Sequence, residues 1–404
     1  MLTSLKKLGP GLLFAGAAIG VSHLVQSTRA GADFGLGLLW ALLLVNCFKF
    51  PFFQFGPRYA SATGESLLEG YKKLGKPVLI AYFILTFATM FTIQTAVTIV
   101  TAGLASTLFG DVISVKVWTV IILAICLIIL FFGRYKLLDR LIKIIIIVLS
   151  ISTILAVIFA LNKNETTLSF IQLLPKNTLE LTFLITFMGW MPAPLDISVW
   201  HSLWTIEKQK DNINLTPKSA LLDFNIGYIT TIILGIGFLL LGYLVMFNSG
   251  ETFSDSAGQF SNQLITMYTN SLGSWAYVVI GVAAFTTMFS TTLTTLDASP
   301  RAMHKSLELI TNKTFDKGYL FWILLLTLGT IFIFFVLASE MGLLIKIATI
   351  LSFLTAPFYA IINYILISGK HTPKDWRPSK GLHILSIGGI IFLIGFSIWF
   401  LKTL

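Results

Sequence analysis

The stretch that decides the fold is Gly189-Trp190-Met191-Pro192-Ala193-Pro194-Leu195-Asp196, in the middle of an apolar segment at residues 181–204. A proline inside a helix removes a backbone donor and clashes with the preceding turn, so two prolines two positions apart predict a broken helix. The segment is long enough to cross a hydrocarbon layer of about 30 Å. Broken backbone is tolerated at that depth only where it lines a cavity or is buried in protein. The stretch therefore predicts a break with a functional role.

A second interruption is expected in the first apolar segment, residues 11–30, where Gly16 and Gly20 precede Ser22 and His23. Polar residues continue from there to Arg29. Corresponding breaks in two halves of a membrane protein are the best sequence pointer to the binding site of a secondary transporter. We therefore expect the two breaks to face each other and to form one site.

The composition of the whole chain is that of a polytopic, all-α membrane protein. Of 404 residues, 56% are apolar and 11% are charged, and the mean hydropathy is +0.86. A soluble domain of this size needs more polar surface than this. Apolar segments long enough to span a bilayer recur along the chain and predict about eleven transmembrane helices. The predicted spans are residues 11–30, 35–60, 78–107, 117–133, 141–161, 181–204, 222–247, 275–296, 319–338, 342–367 and 382–401.

The net charge of +10 is explained by topology. Lys and Arg are concentrated in alternate loops, on the side that includes Lys6 and Lys7, as the positive-inside rule requires. This predicts a multi-pass protein of the inner (plasma) membrane with a cytoplasmic N-terminus. The lipid bilayer and a transported small ion or solute are the partners this implies, whereas no nucleic acid and no obligate protein partner is implied.

An odd number of spans favours an inverted repeat, because a second set of five spans enters the membrane upside down relative to the first. We predict a first five-helix repeat at residues 1–162, a second at 163–369, and an accessory eleventh helix at 370–404. The two predicted breaks then occupy the matching first and sixth spans.

Several motifs resemble the Nramp family of proton-coupled metal-ion transporters. They are Gly9-Pro10-Gly11-Leu12-Leu13, Ala30-Gly31-Ala32-Asp33-Phe34-Gly35, Ala62-Thr63-Gly64-Glu65-Ser66-Leu67, the basic loop Gly133-Arg134-Tyr135-Lys136-Leu137-Leu138-Asp139-Arg140, and Met191-Pro192 followed by His201-Ser202. The resemblance implies a LeuT-type fold and proton-coupled uptake of a divalent cation such as Mn(II) or Fe(II).

The departures from the family pattern fall in the site itself. The family motif Asp-Pro-Gly-Asn aligns with Gly20-Val21-Ser22-His23, so its Asp is absent and His stands at its Asn position. The sixth-helix Met-Pro-His is Met191-Pro192-Ala193, and a tenth-helix Gln position aligns with Thr349. The substrate-binding residues we predict are Gly20, Ser22, His23, Met191, Ala193, Asp196 and Thr349.

His23, Met191 and Asp196 are the candidate metal ligands. Imidazole and thioether suit soft or borderline cations, and Asp196 supplies a carboxylate that the first helix lacks. In the competing interpretation, His23 hydrogen-bonds to exposed backbone and Asp196 caps the second half-helix.

Lys49 is a charge deep inside the second span, where insertion costs about 2.5–3.5 kcal/mol unless the side chain faces a cavity or a partner. It is a candidate coupling residue, a fixed charge in place of a coupling ion, an anchor for an anionic substrate, or a structural partner of Asp196, Asp223 or Asp297. A permanent positive charge near the site opposes divalent-cation binding.

Four further residues are candidates for coupling or gating. Arg29 is expected to be an external gate or a partner of Asp33. His201 matches a family position linked to proton movement, with a snorkelling or capping role as the alternative. Asp297 and Arg301 are four apart, as in an intrahelical pair.

The sequence thus predicts a secondary transporter that works by alternating access. A divalent metal is the first substrate candidate, and a non-metal small solute bound by a LeuT-type fold is the alternative. The chain has no Walker pattern and no clustered catalytic His or Cys set, so we expect neither an enzyme nor a bound cofactor.

Overall fold

The computed structural model describes residues 9–110, 112–132, 135–163, 169–211, 216–247, 252–337 and 340–403. Lys6, Lys7 and the Gly133-Arg134 start of the basic motif lie outside the described residues. The described part is helical and contains no β-strand. The helices are α1 Pro10–Ala18, α2 Thr28–Phe34, α3 Leu39–Thr63, α4 Leu67–Leu74, α5 Lys76–Phe109, α6 Val115–Phe132, α7 Tyr135–Lys163, α8 Thr178–Trp190, α9 Ile197–Asp211, α10 Pro217–Met246, α11 Ala257–Leu272, α12 Ala276–Thr311, α13 Gly318–Phe332, α14 Met341–Ser368 and α15 Lys380–Thr403.

All eleven predicted spans coincide with helices or with a broken pair of helices. Eight described helices are long and apolar enough to cross a membrane, and the bent pair Pro10–Ala18 and Ser22–Phe34 is a ninth candidate. Two shorter apolar helices, Ile146–Asn162 and Thr178–Trp190, lie in the fifth and sixth predicted spans. The all-α membrane class is confirmed, while the count of eleven crossings stays a prediction.

Two connecting helices were not predicted. The helix α4 begins with a capping box, in which Ser66 and Glu69 satisfy each other's backbone N–H groups. The helix α11 lies between α10 and α12. Both are too short or too polar to cross a bilayer, so hydropathy alone does not detect them.

Several predicted boundaries differ from the structure by four residues or more, and two of these differences have a clear physical reason. The second span starts at Leu39 rather than residue 35, because Gly35 has a φ of 60° and a turn follows it. The eighth predicted span corresponds to α12, which continues past the predicted end at residue 296 to Thr311. A polar extension of this kind lies beyond the apolar window on which the prediction rested.

The helices α5 and α12 pack closely against each other, and α10 packs against both α1 and α2. The helix α9 packs on α3, α8 packs on α14, and α15 contacts α3 and α14. Under the predicted repeat, α2 corresponds to α9 and α10 to α3, so the α2–α10 and α9–α3 contacts are equivalent. This arrangement brings the two broken spans into the interior of the bundle.

The outer faces of the bundle are apolar. Only 22% of the most apolar window of α6 is buried, compared with 61% for α3, α5 and α12. Large side chains such as Ile128, Phe132 and Ile151 are exposed on α6 and α7. Exposed apolar faces of this extent are expected where helices meet lipid rather than water.

Candidate functional site

The first broken span bends by 47° between α1 and the segment that follows it. The helix α1 ends at Ala18, and the backbone resumes as a π-helix at Ser22–Ser27 before α2. The N-terminus of α1 is capped from α10, where Asp223 accepts hydrogen bonds from the N–H groups of Gly9 and Gly11 at 3.1 and 2.8 Å. A carboxylate suits the positive end of a helix, and it fixes the position of the half-helix that leads to the break.

The second break is where the two prolines predict it. The helix α8 ends at Trp190 and α9 begins at Ile197. The first N–H groups of α9 bond within the break, with Ile197 donating to the carbonyl of Pro194 at 3.2 Å. The carboxyl end of α8 is thereby separated from the amino end of α9 at the centre of the bundle.

The two breaks meet at Ser22. Its hydroxyl lies 2.8 Å from the carbonyl oxygen of Ala18 in its own span and 3.1 Å from that of Pro192 in the other. A cavity of about 20 Å³ adjoins this contact, which is room for about one water molecule. Its lining comes from both breaks, α5 and α12: Ala17, Ala18, Val21, Ser22, Ile93, Val97, Trp190, Ala193, Pro194, Ile197, Trp200, Thr291 and Thr295.

His23 is fully buried and both of its ring nitrogens are engaged. Nε2 lies 2.9 Å from the carbonyl oxygen of Thr231, which can only accept, so Nε2 carries a proton. Nδ1 lies 2.6 Å from the hydroxyl of Ser22. In this conformation His23 is therefore oriented by backbone and by Ser22, which is the competing role given to it above.

Acceptors outnumber protons around Ser22. Its single hydroxyl proton is shared among His23 Nδ1 and the carbonyl oxygens of Ala18 and Pro192. Only one of these contacts is a full hydrogen bond at any moment. A cation or an N–H group placed here would satisfy the acceptor atoms that the hydroxyl proton leaves without a donor.

Met191 is fully buried and its thioether faces α10. A Cβ built on Gly235 would lie 3.5 Å from Met191 Sδ. Because Thr231 and Gly235 are four residues apart, one helical turn of α10 receives both His23 and Met191. The structure therefore brings these two candidate ligands to the same side of the breaks.

Asp196 is 4% exposed and precedes α9. The backbone N–H groups of Asp196 and Ile197 face its carboxyl group, as expected for an N-terminal cap. Its Oδ1 has no hydrogen-bond partner among the described residues. Asp196 therefore combines a capping position with one unused acceptor atom.

Lys49 is completely buried and bonds to the second break. Its ammonium donates to the carbonyl oxygens of Met188 and Gly189, both at 2.8 Å, and of Ala193 at 3.3 Å. Asp196 attracts the ammonium electrostatically. The two side chains do not form an ion pair within the described part of the chain.

Asp223 caps α1 and Asp297 binds Arg301, so neither is the structural partner proposed for Lys49. The ammonium instead donates hydrogen bonds to the carbonyl groups at the carboxyl end of α8. All three of its donors are used there.

Thr349 and Gly20 contribute close packing of the helices around the breaks. A Cβ on Gly189 would lie 2.3 Å from the carbonyl oxygen of Thr349, and a Cβ on Gly20 would lie 3.0 Å from Thr291 Oγ1. The Thr349 hydroxyl donates within α14, to Ile345 at 2.7 Å. Thr349 therefore touches α8 through its backbone, outside the small cavity.

Among the residues of the cavity wall that were not predicted as site residues, three donate side-chain hydrogen bonds to neighbouring helices. Thr291 of α12 donates to the carbonyl of Gly16 at 3.1 Å. Trp190 donates from Nε1 to Ser352 of α14 at 2.8 Å. Thr295 bonds to Gln94 of α5 at 2.7 Å. The sequence shows that α12 is rich in threonine between residues 286 and 295. Only the tertiary structure shows which of these hydroxyl groups line the cavity and which pack between helices.

Arg29 has a different partner from the one predicted. Its guanidinium binds Asp255 at 2.8 Å and the Ser254 carbonyl at 2.5 Å, and it lies over the ring of Phe260. Asp33 is only an electrostatic neighbour. Arg29 thereby connects α2 to the segment before α11, a contact between residues 226 positions apart that sequence spacing cannot reveal.

The remaining candidates lie away from the cavity. His201 is buried against Phe14 and Phe224, with ring centroids 5.6 and 5.7 Å away, and neither ring nitrogen has a partner among the described residues. The snorkelling role is therefore wrong. The predicted Asp297–Arg301 pair is confirmed, at 2.7 Å, and Tyr319 also donates to Asp297.

The described residues contain no group of three or more His, Cys, Asp and Glu side chains placed to hold a metal ion. His23, Met191 and Asp196 include only two residues of those types. A metal site here would need the thioether, backbone carbonyls or a different conformation.

Comparison with known proteins defines the class. The structure superposes on that of a point mutant of the manganese transporter of Eremococcus coleocola with a TM-score of 0.71, at 14% identity and over 98% of this chain and 94% of the other. The structure of MhsT in complex with L-phenylalanine gives 0.71 at 15% identity and 98% coverage of both chains. Mhp1, a nucleobase-cation-symport-1 family transporter, gives 0.61 at 15% identity, over 98% of this chain and 93% of the other. The fold is therefore that of the LeuT-type transporters.

The sequence assigns the chain to one family within this fold. Residues 11–403 match the family described as natural resistance-associated macrophage protein-like, or Nramp. The chain belongs to this family. An uncharacterized protein of Pasteurella multocida (strain Pm70) is 37% identical over 402 residues, which are 98% of this chain and 91% of that protein.

Proposed function

We propose that this chain is a secondary transporter that works by alternating access, with its substrate bound between the two broken spans. The observation that carries the proposal is the meeting of both breaks at Ser22, next to a cavity lined by four different spans. Broken helices expose backbone groups that serve as ligands for a substrate. The predicted repeats, 1–162 and 163–369, would move relative to each other around this point.

A divalent metal cation is the first substrate candidate, because the chain is an Nramp family member. His23 and Met191 face the same turn of α10, and Asp196 has a free acceptor oxygen. Imidazole and thioether favour Mn(II)- or Fe(II)-like and softer cations over Mg(II). Binding would require His23 Nδ1 to exchange Ser22 for the metal. His201, Lys49 and Asp196 are the residues we propose for proton coupling.

A non-metal small solute is the second candidate, and Lys49 favours it. The ammonium puts a fixed positive charge on the second break, and the first break lacks the acidic residue of the family motif. An organic solute with an N–H group would satisfy the excess acceptors around Ser22 without a metal.

Uptake of Mn(II) into proteoliposomes with an internal metal-sensitive dye and an imposed proton gradient separates the two candidates. Fe(II) and Mg(II) are assayed in parallel, as are His23→Ala and Asp196→Asn. Saturable Mn(II) uptake that His23→Ala abolishes would establish the metal substrate. No uptake of any of these metals by protein with a sharp thermal unfolding transition would reject the metal candidate and leave the organic solute.

A further inference from the structure

A second, larger cavity lies between α2, α8 and the start of α14. Its volume is about 350 Å³, within the range of small-molecule sites. It opens beside Asp255 and Glu340, which are exposed. We call it the vestibule, and its polar lining is Gln26, Arg29, Thr182, Thr186, Asp255 and Lys346, together with Glu340 at the opening.

The vestibule lies next to the site at the breaks. Gln26 follows Ser22 by four residues in the same π-helical segment, Ser22–Ser27, so it lies about one turn further along that segment. A solute that enters the vestibule therefore reaches its floor one helical turn from the Ser22 cluster.

Arg29 offers unused donors to this cavity. Its side chain is only 17% exposed, and its five N–H groups make two hydrogen bonds within the described part of the chain, to Asp255 and to Ser254. Its Nε is shielded from solvent and has no partner among the described residues, so the donors left for a ligand are the remaining N–H groups of Nη1 and Nη2. A buried guanidinium with spare donors is a strong binding group for a carboxylate.

Gln26 offers an amide in the same wall. It is 5% exposed, and its side chain forms no hydrogen bond with the rest of the described chain. An unpaired buried amide costs free energy unless a ligand or water satisfies it. Glu340 is the other acidic residue of the lining and is not part of the Arg29–Asp255 ion pair. Its side chain is exposed at the opening, so water hydrates its carboxylate.

From this combination we infer that the vestibule is a binding site for a small organic carboxylate that carries a second hydrogen-bonding group. The carboxylate binds the free N–H groups of Arg29, the second group binds the amide of Gln26, and the apolar part packs on Val25 and Phe183. The lining carries two basic residues, Arg29 and Lys346, and two acidic residues, Asp255 and Glu340. This inference rests on the proposed transport function and names the solute class of its second candidate.

Asp255 is the internal competitor for the ligand. It occupies one edge of Arg29, and it is also placed against the start of α14, where a Cβ on Gly342 would lie 2.3 Å from Asp255 Oδ1. A ligand carboxylate that displaces Asp255 from Arg29 would loosen the contact between α2 and the segment before α11. Ligand binding and opening of this contact are then linked.

The test is the thermal unfolding of the purified full-length protein with matched pairs of probes at 10 mM: L-lactate and lactamide, L-alanine and L-alaninamide, acetate and acetamide, each at equal ionic strength. We expect at least one carboxylate to raise the midpoint in a saturable manner while its amide does not. Arg29→Gln should abolish the effect. Asp255→Asn should strengthen binding about threefold or more, because the competing carboxylate is gone.

Two further variants locate the site. Gln26→Leu should weaken binding even if Arg29→Gln fails to fold, whereas Ser386→Ala, in α15 and outside both cavities, should leave binding unchanged. The inference is wrong if no carboxylate stabilises the protein more than its amide, or if folded Arg29→Gln and Gln26→Leu proteins are stabilised as much as the wild type. Carboxylate binding without uptake of either the carboxylate or the metals in proteoliposomes would instead contradict the transport function, so the two failures are distinguishable.

Discussion

The ammonium of Lys49 donates a hydrogen bond of 2.8 Å to the carbonyl oxygen of Met188, so a buried charge of α3 closes the carboxyl end of α8. A helix that ends at mid-depth leaves carbonyl groups without intrahelical partners. An ammonium has three donors and suits the negative end of a helix. The carbonyls of Gly189 and Ala193 receive its other two bonds, so the chain itself provides the cation at this break.

Replacing Lys49 by Met should destabilise the protein strongly. The substitution keeps the length of the side chain but leaves three buried carbonyl oxygens without donors, at about 1–3 kcal/mol each. We expect the midpoint of thermal unfolding to fall by several degrees. Lys402→Met, at an exposed position near the end of α15, is the control and should change little. A Lys49→Met protein that melts like the wild type would mean that the ammonium does not stabilise the break.

Ser22→Ala should impair transport far more than stability. The hydroxyl is the only group that bonds across both breaks in the described structure, whereas one lost hydrogen bond costs about 1 kcal/mol. We expect uptake of the substrate identified in proteoliposomes to fall at least about tenfold. Ser386→Ala is the matched control, because this buried serine also donates to the carbonyl four residues earlier but lies in α15. Equal transport by the two variants would argue against a substrate site at Ser22.

Two glycine-to-alanine changes should act in opposite directions. A Cβ on Gly189 would lie 2.3 Å from the Thr349 carbonyl and would force α8 away from α14, so Gly189→Ala should lower the unfolding midpoint. Gly395 has open space around its Cβ position and lies inside α15. Gly395→Ala should stabilise by up to about 1 kcal/mol, the difference in helix propensity. Thermal unfolding of both variants checks this, and a stabilised Gly189→Ala protein would contradict the close approach.

Glu69 should make stability sensitive to acid. Burial raises the pKa of Glu69, but hydrogen bonds from Ser66 and Lys305 outweigh it, so the pKa lies below its ordinary value of 4.5. A depressed folded-state pKa contributes stability above the unfolded-state pKa, and this is lost as pH falls through the folded-state value. The unfolding midpoint should therefore drop below about pH 4.5, and less so in Glu69→Gln. Parallel pH profiles for the two proteins would contradict this role of the capping box.

The helices and the breaks were predictable because their causes are local. Apolar runs of sufficient length must form helices in a bilayer. Pro192 and Pro194 cannot continue a helix, and the spacing of Asp297 and Arg301 places them on one face. Each of these features depends on residues that are close together in the chain.

The partners of the charged residues were not predictable, because they come from distant parts of the chain. Lys49 meets α8 rather than an acidic side chain, and Arg29 meets Asp255 rather than the nearby Asp33. The sequence alone could name Lys49 and His23 as unusual, since a buried polar group must find a partner. It could not say that His23 would bind Thr231 and Ser22.

The sequence by itself determined the class of this protein: the membrane-spanning helices, the two interrupted spans and the resemblance to its family. Hydrophobic length and proline chemistry act through neighbouring residues, so they can be interpreted without coordinates. Only the tertiary structure decided that the breaks meet at Ser22, that Lys49 closes α8, and that Gln26 and Arg29 share a cavity. These are contacts between helices far apart in sequence, and they exist because the packing of the whole bundle brings those helices together.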